Sequence, residues 1–400
     1  MPWKTKSPMD LRREIMKRLA TGERLTDLCR EYGISRKTGS KFRKRFEEFG
    51  AAGLFDQSRA PKVIPHKTPR EVEALILAER RRHPTWGPRK LKDSLERRFE
   101  GRAFPSAAAM GGILSRNGLV QRRRKRLRYK PTPTALRPAA APNDVWCIDY
   151  KGHFRLGDGT YCYPLTVTDQ FSRYILGCEG MAAISDEQAR EACQELFRTY
   201  GLPNVMRSDN GVPFSSTGLR GLTRLSVMWL RLGICLERIR PAHPQDNGQH
   251  ERMHRTLKFE TTRPSRTNLL QQQERFDQFV DEFNTVRPHE ALGMKRPFEV
   301  YTPSARALPA TLPEPSYHGF DDVLRVNRGG QVYIPGIGQF TLSPILGGEH
   351  VGIREERDGR WLISFCGLDL GYAGPHRNTF TALSASPPPE ASPTSPMCLV

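Results

Sequence analysis

The chain has no long hydrophobic run. No window of its 400 residues approaches about 18 consecutive apolar positions, so no membrane-spanning helix is expected. The stretch from Met1 to Arg18 is charged and lacks the apolar segment of a secretory signal, so a cytoplasmic protein is expected. Paired cysteines are missing too. Cys29, Cys147, Cys162, Cys178, Cys193, Cys235, Cys366 and Cys398 fall at no CxxC spacing. That argues against a zinc ribbon or a disulfide framework and leaves buried free thiols as the expectation. There is no internal repeat, and the length exceeds one ordinary core, so roughly two to four domains are expected.

Acidic residues are scarce in the first third. Residues 1–140 hold 36 Lys and Arg against 14 Asp and Glu, a net of +22, while residues 141–400 hold 27 against 29, a net of −2. The whole excess of the +20 chain therefore sits at one end. A polyanion is the expected partner there, and nucleic acid is the commonest one.

Residues 1–60 read as a helix-turn-helix domain. Leu11, Ile15 and Leu19 form one amphipathic stripe, and Leu25, Leu28 and Tyr32 a second. Gly33 ends that helix and Ser35 caps a third, beginning at Arg36. Phe42, Phe46 and Phe49 are expected to be its apolar face. Its other face carries Arg36, Lys37, Lys41, Arg43, Lys44 and Arg45. In this layout the last helix enters the major groove, so Arg36, Lys37 and Lys41 are the candidate base-reading residues. Any small three-helix bundle shows the same spacing; the basic third helix favours DNA.

Residues 61–130 read as a second such unit. Helix 70–82 leads through His83-Pro84-Thr85-Trp86-Gly87-Pro88 to helix 89–99, and Ser106 caps a helix to about Asn117. A basic arm follows, seven of nine residues from Arg122 to Lys130, suited to phosphate contact. Residues 131–142 are a Pro/Ala linker.

From residue 143 to 303 the pattern changes. Strands are predicted at 145–150, 161–168, 174–178, 203–207 and 235–239, and helices at 186–200, 219–232, 247–260 and 270–285. Three antiparallel strands followed by alternating helices and strands is the order of the α/β ribonuclease-H-like fold. Residues 320–375 return to short strands with Gly turns and suggest a small β-barrel. Residues 384–400 read as a disordered tail.

Three acids stand out in the central region. Asp149 lies among bulky apolar residues in Val145-Trp-Cys-Ile-Asp-Tyr150, where a carboxylate is costly to bury without compensation. Asp209 stands in Arg207-Ser-Asp-Asn-Gly211, which by itself is also ordinary turn chemistry. Glu251 lies in helix 247–260, and by itself reads as a solvated surface residue. Together they form a set able to hold two hard divalent cations for phosphodiester cleavage. Lys258, two turns beyond Glu251, lies on the same helical face and is a candidate for the DNA backbone. A plain amphipathic helix with Met253 and Leu257 inward gives the same charges. Of the other acids, Asp169 and Asp158 read as turn residues, and Asp246 as the cap of helix 247–260 with Gln249 completing a capping box. His243 and His254 are near enough to line a site, with core roles equally open.

Residues 143–300 resemble the integrase core shared by retroviral integrases and bacterial insertion-sequence transposases, the DDE enzymes. The resemblance is carried by Trp146 to Asp149, by Asp169-Gln-Phe-Ser-Arg-Tyr-Ile175, by Ser208-Asp-Asn-Gly211, by His243-Pro-Gln-Asp-Asn-Gly-Gln-His-Glu251 with Lys258, and by Asn284-Thr-Val-Arg-Pro-His289. The two N-terminal units resemble the end-binding region of such transposases. The resemblance implies Asp149, Asp209 and Glu251 as ligands of two magnesium ions, with manganese able to substitute. The implied partners are the double-stranded DNA of the element ends and of the target, bound by a homo-oligomer in a bacterial, nucleoid-associated setting. Two departures are clear. Forty-one residues separate Asp209 from Glu251, more than in close relatives, and the zinc module of retroviral integrases has no counterpart. A DNA-binding regulator with an inactive nuclease core is the alternative reading, and a ribonuclease-H-type nuclease the third. The intact acidic set argues against the first, the DNA-binding front end against the second.

Overall fold

The computed structural model describes residues 6–58, 67–120, 136–240, 243–356, 359–374 and 379–383. The basic arm at 122–130, residues 131–135 of the linker and the 384–400 tail lie outside the described residues. Two compact units are present, Met1–Pro69 and Arg70–Val400.

In the first unit, α1 (Pro8–Ala20) starts at Ser7, whose hydroxyl and Asp10 form a capping box. Helix α2 (Leu25–Glu31) and α3 (Arg36–Phe49), capped by Ser35, complete the bundle. Ile15, Met16, Leu28, Phe42 and Leu54 form its core. Gly39 is required where α3 crosses α2, because a Cβ there would stand 2.4 Å from Cys29 Sγ. The expected apolar face of α3 is shorter than its sequence. Phe42 is buried, whereas Phe46 and Phe49 are exposed. A 3-10 turn, Gly50–Leu54, folds back after α3 and inserts Leu54 into the core in their place.

The second unit begins with α4 (Arg70–Arg82), α5 (Pro88–Arg98) and α6 (Ala107–Arg116), packed around Ile76, Trp86, Leu91, Leu95, Met110 and Ile113. A six-stranded sheet follows, built from β1 (Val145–Tyr150), β2 (Phe154–Arg155), β3 (Tyr161–Asp169), β4 (Ile175–Met181), β5 (Val205–Ser208) and β6 (Cys235–Arg238). Strand β1 is central, antiparallel to β3 and parallel to β5, and β6 flanks β5. Helices α7 (Asp186–Tyr200) and α8 (Arg224–Arg231) lie with Trp146 and Ile148 in one core. Helices α9 (Gly248–Thr261) and α10 (Leu269–Asp281) join Ile175, Cys178, Met253, Leu257 and Phe276 in another. Successive strand residues alternate between faces, so Asp149 projects opposite Trp146 and Ile148, toward α9. An integrase-like α/β core is thus in place. The helix expected from Leu219 starts instead at Arg224, because Thr223 and Ser226 form a capping box after a 3-10 turn at Leu219–Gly221.

The C-terminal strands are β7 (Asp322–Arg325), β8 (Gln331–Ile334), β9 (Gly338–Thr341), β10 (His350–Glu355), β11 (Trp361–Phe365), β12 (Leu368–Ala373) and β13 (Phe380–Ala382). They form an open sheet, β13-β12-β11-β10-β7, and a separate β8–β9 hairpin. The closed barrel expected from the strand spacing does not form among the described residues. The hairpin and the sheet share one core that also takes in Leu222, Val227 and Leu230, so the α8 region covers what closure would have covered. The described cysteines are free thiols. Among the described residues no helix is long and apolar enough to cross a membrane.

Candidate metal centre

Asp149 stands near the C-terminal end of the central strand, and Asp209 follows the last residue of the adjacent parallel strand. Such an arrangement brings two strand ends side by side. Asp209 Oδ1 accepts from the Gly211 amide at 3.1 Å, the turn that the Asp-Asn-Gly sequence favours. Glu251 sits in the first turn of α9, where its side chain is exposed. Burial is the main force on the Asp149 carboxyl, and the charges of Asp209 and Glu251 add to it; together they push it up to about 7. Burial raises Asp209 as well. The nearest offset is Lys151, itself held below the usual lysine value by burial and by Lys258. The three acids and two lysines therefore share one electrostatic neighbourhood. Arg36, Lys37 and Lys41 lie in the other unit, exposed on α3.

Beneath Asp149 lies a hub that no local sequence pattern assembles. Thr166 pairs with Asp149 across the ladder and donates its hydroxyl to the Asp149 carbonyl at 3.1 Å. His250 Nε2 and His254 Nε2 reach the same Thr166 oxygen at 2.7 and 2.6 Å. With the one hydroxyl proton given to the carbonyl, both imidazoles must carry theirs on Nε2 and donate to Thr166. His250 Nδ1 then accepts from Thr168 at 2.8 Å, and His254 Nδ1 presents a lone pair 3.8 Å from Asp149 Oδ2. Burial holds both rings neutral: His250 falls to about 3, and His254 is lowered further, with His250 and Lys151 adding to the effect. The sequence leaves His254 open between site and core; the structure buries it with its Nδ1 beside the Asp149 carboxylate. His250 is absent from the sequence-derived candidates, although His250-Glu-Arg-Met-His254 is an H-E-x-x-H spacing.

That spacing on a helix suits a zinc protease, where both imidazoles converge on the metal. Here both converge on Thr166 Oγ1, which stands at the meeting point, and His250 has both nitrogens engaged. Asp149, His250 and His254 do offer ligand atoms all within 4.8 Å of one another. Only His254 Nδ1 and the carboxylates remain available to an ion. A hard divalent cation fits the carboxylates, because it offsets both the burial and the repulsion that raise Asp149.

The rival acids have other work. Asp169 is fully buried; its Oδ1 accepts from the Ser172 amide and hydroxyl at 2.7 and 2.5 Å, and its Oδ2 from the Asn143 amide at 2.7 Å. Asp158 likewise holds its own turn through Thr160. Asp246 departs from expectation. The N-cap of α9 is Asn247, which makes no side-chain capping bond, and a 3-10 turn precedes it. The Asp246 carboxylate is turned to the Arg240 guanidinium, 2.9 Å away. A charged fork outcompetes a backbone amide for a buried carboxylate.

The far end of α9 is braced by the preceding helical unit. Thr85 donates to Glu260 at 2.5 Å, and Arg287 donates to the same carboxylate at 3.0 Å. His83 stacks on Trp86 and its Nδ1 lies 2.9 Å from Glu282.

Comparison with known proteins gives two matches to the integrase core domain family, over residues 139–244 and 232–297. A homeodomain-like family matches residues 38–114 and a helix-turn-helix family residues 11–62. The Gag-Pol polyprotein of baboon endogenous virus is 34% identical over 125 residues, 30% of this chain and 7% of that protein. An insertion element IS407 protein of 31.7 kDa from Burkholderia multivorans is 28% identical over 181 residues, covering 45% of this chain and 63% of that one. The chain thus spans less than two thirds of each of these relatives. Among solved structures, the HTLV-2 integrase catalytic core domain in complex with magnesium shows 15% identity and a TM-score of 0.33, covering 41% of this chain and all of that one. A simian T-cell lymphotropic virus intasome shows 14% identity and a TM-score of 0.37, covering 74% and 97%.

Proposed function

We propose, from the premise that this chain belongs to the integrase-core (rve) superfamily of DDE enzymes as an insertion-sequence transposase, that it binds the terminal repeats of a mobile element and cuts and joins DNA strands there. What supports this reading is placement: Asp149 near the end of β1, Asp209 directly after the adjacent parallel β5, and Glu251 in the first turn of α9. Residues 1–60 and 61–130 would bind the element ends, with Arg36, Lys37 and Lys41 reading bases, and residues 143–303 would carry the chemistry. The protein would act as a homo-oligomer on double-stranded DNA in the bacterial cytoplasm, at the nucleoid.

Asp149, Asp209 and Glu251 would hold two magnesium ions, or manganese in their place. Such ions, when bound, activate an attacking oxygen and stabilise a leaving one. Lys151 and Lys258 draw the scissile backbone toward the carboxylates by charge. Thr166 fixes the Asp149 backbone, and His254 offers a neutral acceptor beside its carboxylate. No side chain here needs to act as a covalent nucleophile. Water cuts first and frees a 3′-hydroxyl, which then attacks the target strand.

A strand-transfer assay with the element's own ends tests the reading. Joined product in magnesium, lost in chelator and in Asp149→Asn, is expected. Cleavage without joining would support the nuclease alternative, and end-binding without cleavage the regulator.

A further inference from the structure

A cleft of about 620 Å³ opens at the β3–β4 turn, the first turn of α9 and the segment around residues 291–300. Asp149, Asp209 and Glu251 do not line it. Its walls include Arg137, Arg173, Arg207, Arg252 and Lys295. Two of these cations are already satisfied. Arg137 pairs with Asp144 at 2.8 Å, and Arg207 with Glu237 at 2.6 Å. The one acid in the wall, Asp246, is neutralised by Arg240. Among the described residues Arg173, Arg252 and Lys295 form no salt bridge, and Asp169 acts on Arg173 only through its charge.

Arg173 is the unusual one. It sits in the turn with φ +66, a conformation L side chains rarely adopt. Its Nη1 is buried and has no hydrogen-bond partner, and the same holds for Gln170 Oε1 beside it in the turn. Turned over, that amide presents N–H donors instead. Burial and then the neighbouring Arg252 guanidinium pull Arg173 below the usual arginine value, and the charge of the buried Asp169 carboxylate offsets them only in part. A half-buried cation facing another cation is costly unless an anion compensates both. Gly248 places the positive end of the 14-residue α9 at the same cleft.

We propose that this cleft is a phosphate-binding site separate from the carboxylate cluster, in which Arg173, Arg252 and Lys295 hold a backbone phosphate of the bound DNA. It rests on the reading of the chain as a DNA-processing enzyme. Arg252 directly follows Glu251, so a strand gripped here is held by the helix that carries the third acid. The site thereby fixes the strand's register against the metal centre.

The test uses the full chain with Arg252→Gln and Lys295→Gln together, since both side chains are exposed. Affinity for a random-sequence duplex is measured across a salt series, with the melting temperature as the check on folding. The log–log salt slope should become shallower by roughly 0.9 for each phosphate no longer neutralised. Adding Arg173→Gln should flatten it further; because Arg173 is half-buried, the exposed pair decides. Unchanged slope and affinity in the folded double variant would overturn the site. If the pair instead abolishes stabilisation by inorganic pyrophosphate while the DNA slope stays, the cleft takes a small anion and the DNA assignment falls. Magnesium-dependent cleavage by the unmodified chain is scored separately. A shallower slope in a chain that never cleaves would keep the site and sink the transposase reading.

Discussion

His254 Nδ1 lies 3.8 Å from Asp149 Oδ2, and the hydrogen bonds of Thr166 leave that nitrogen without a proton. Two acceptors therefore face each other when Asp149 is ionised. A proton on Asp149 or a cation between them relieves the opposition. His254→Gln, which keeps an acceptor, should retain much of the cleavage activity, whereas His254→Phe should lose at least about tenfold, equal to about 1.4 kcal/mol of barrier. Rates at a range of magnesium concentrations separate the effects; loss that high magnesium fails to rescue in either variant would show His254 to be core packing only.

Asp149→Asn is expected to abolish cleavage and joining and, without divalent metal, to stabilise the fold. The Asp149 carboxyl is raised to about 7 in the folded chain, against about 4 unfolded. A raised acid binds its proton more tightly when folded, so its penalty is absent below pH 4, grows between about 4 and 7, and is complete above 7. The variant should be more stable at pH 8, by on the order of 4 kcal/mol, and converge with the parent near pH 4. A difference that is flat with pH would remove the burial argument.

Asp246→Asn should lower the stability of the chain, since it weakens the bonds the buried carboxylate makes to the solvent-accessible Arg240 guanidinium. Denaturant midpoints measure this. Glu251→Gln, on an exposed first-turn residue, should leave the midpoint near the parent's and remove joining. Joining at a near-normal rate in the Glu251→Gln protein would show the third ligand to be misassigned.

Arg287 is buried against Glu260, and Thr85 completes the bond set. Arg287→Met should cost on the order of 3 kcal/mol by leaving that carboxylate short of its partner. Glu260→Gln together with Arg287→Met should cost less than the two single changes summed. Additive costs would mean that the two side chains do not act as a pair.

Arg36, Lys37 and Lys41 replaced by Ala should reduce preference for the element end over random duplex. Competition binding reads the ratio. An equal loss on both sequences would assign these exposed residues to phosphate contact alone.

The sequence alone determined the order of helices and strands, the basic first third and the positions of Asp149, Asp209 and Glu251. These are legible because helix and strand periodicity, caps and turn residues act over a few neighbours. Tertiary structure decided the rest. Thr166, His250 and His254 meet only because β3 pairs with β1 and α9 packs across both, bringing together residues up to 88 positions apart. Asp246 has the spacing of a cap, yet Arg240, only six residues earlier, offers a guanidinium, and a buried charge takes the strongest partner available. The C-terminal strands have the spacing of a barrel, yet the α8 region covers their apolar face and the sheet stays open. Which partner a buried polar group finds, and which surface covers an apolar face, depends on where distant segments arrive in space, and no local pattern encodes that.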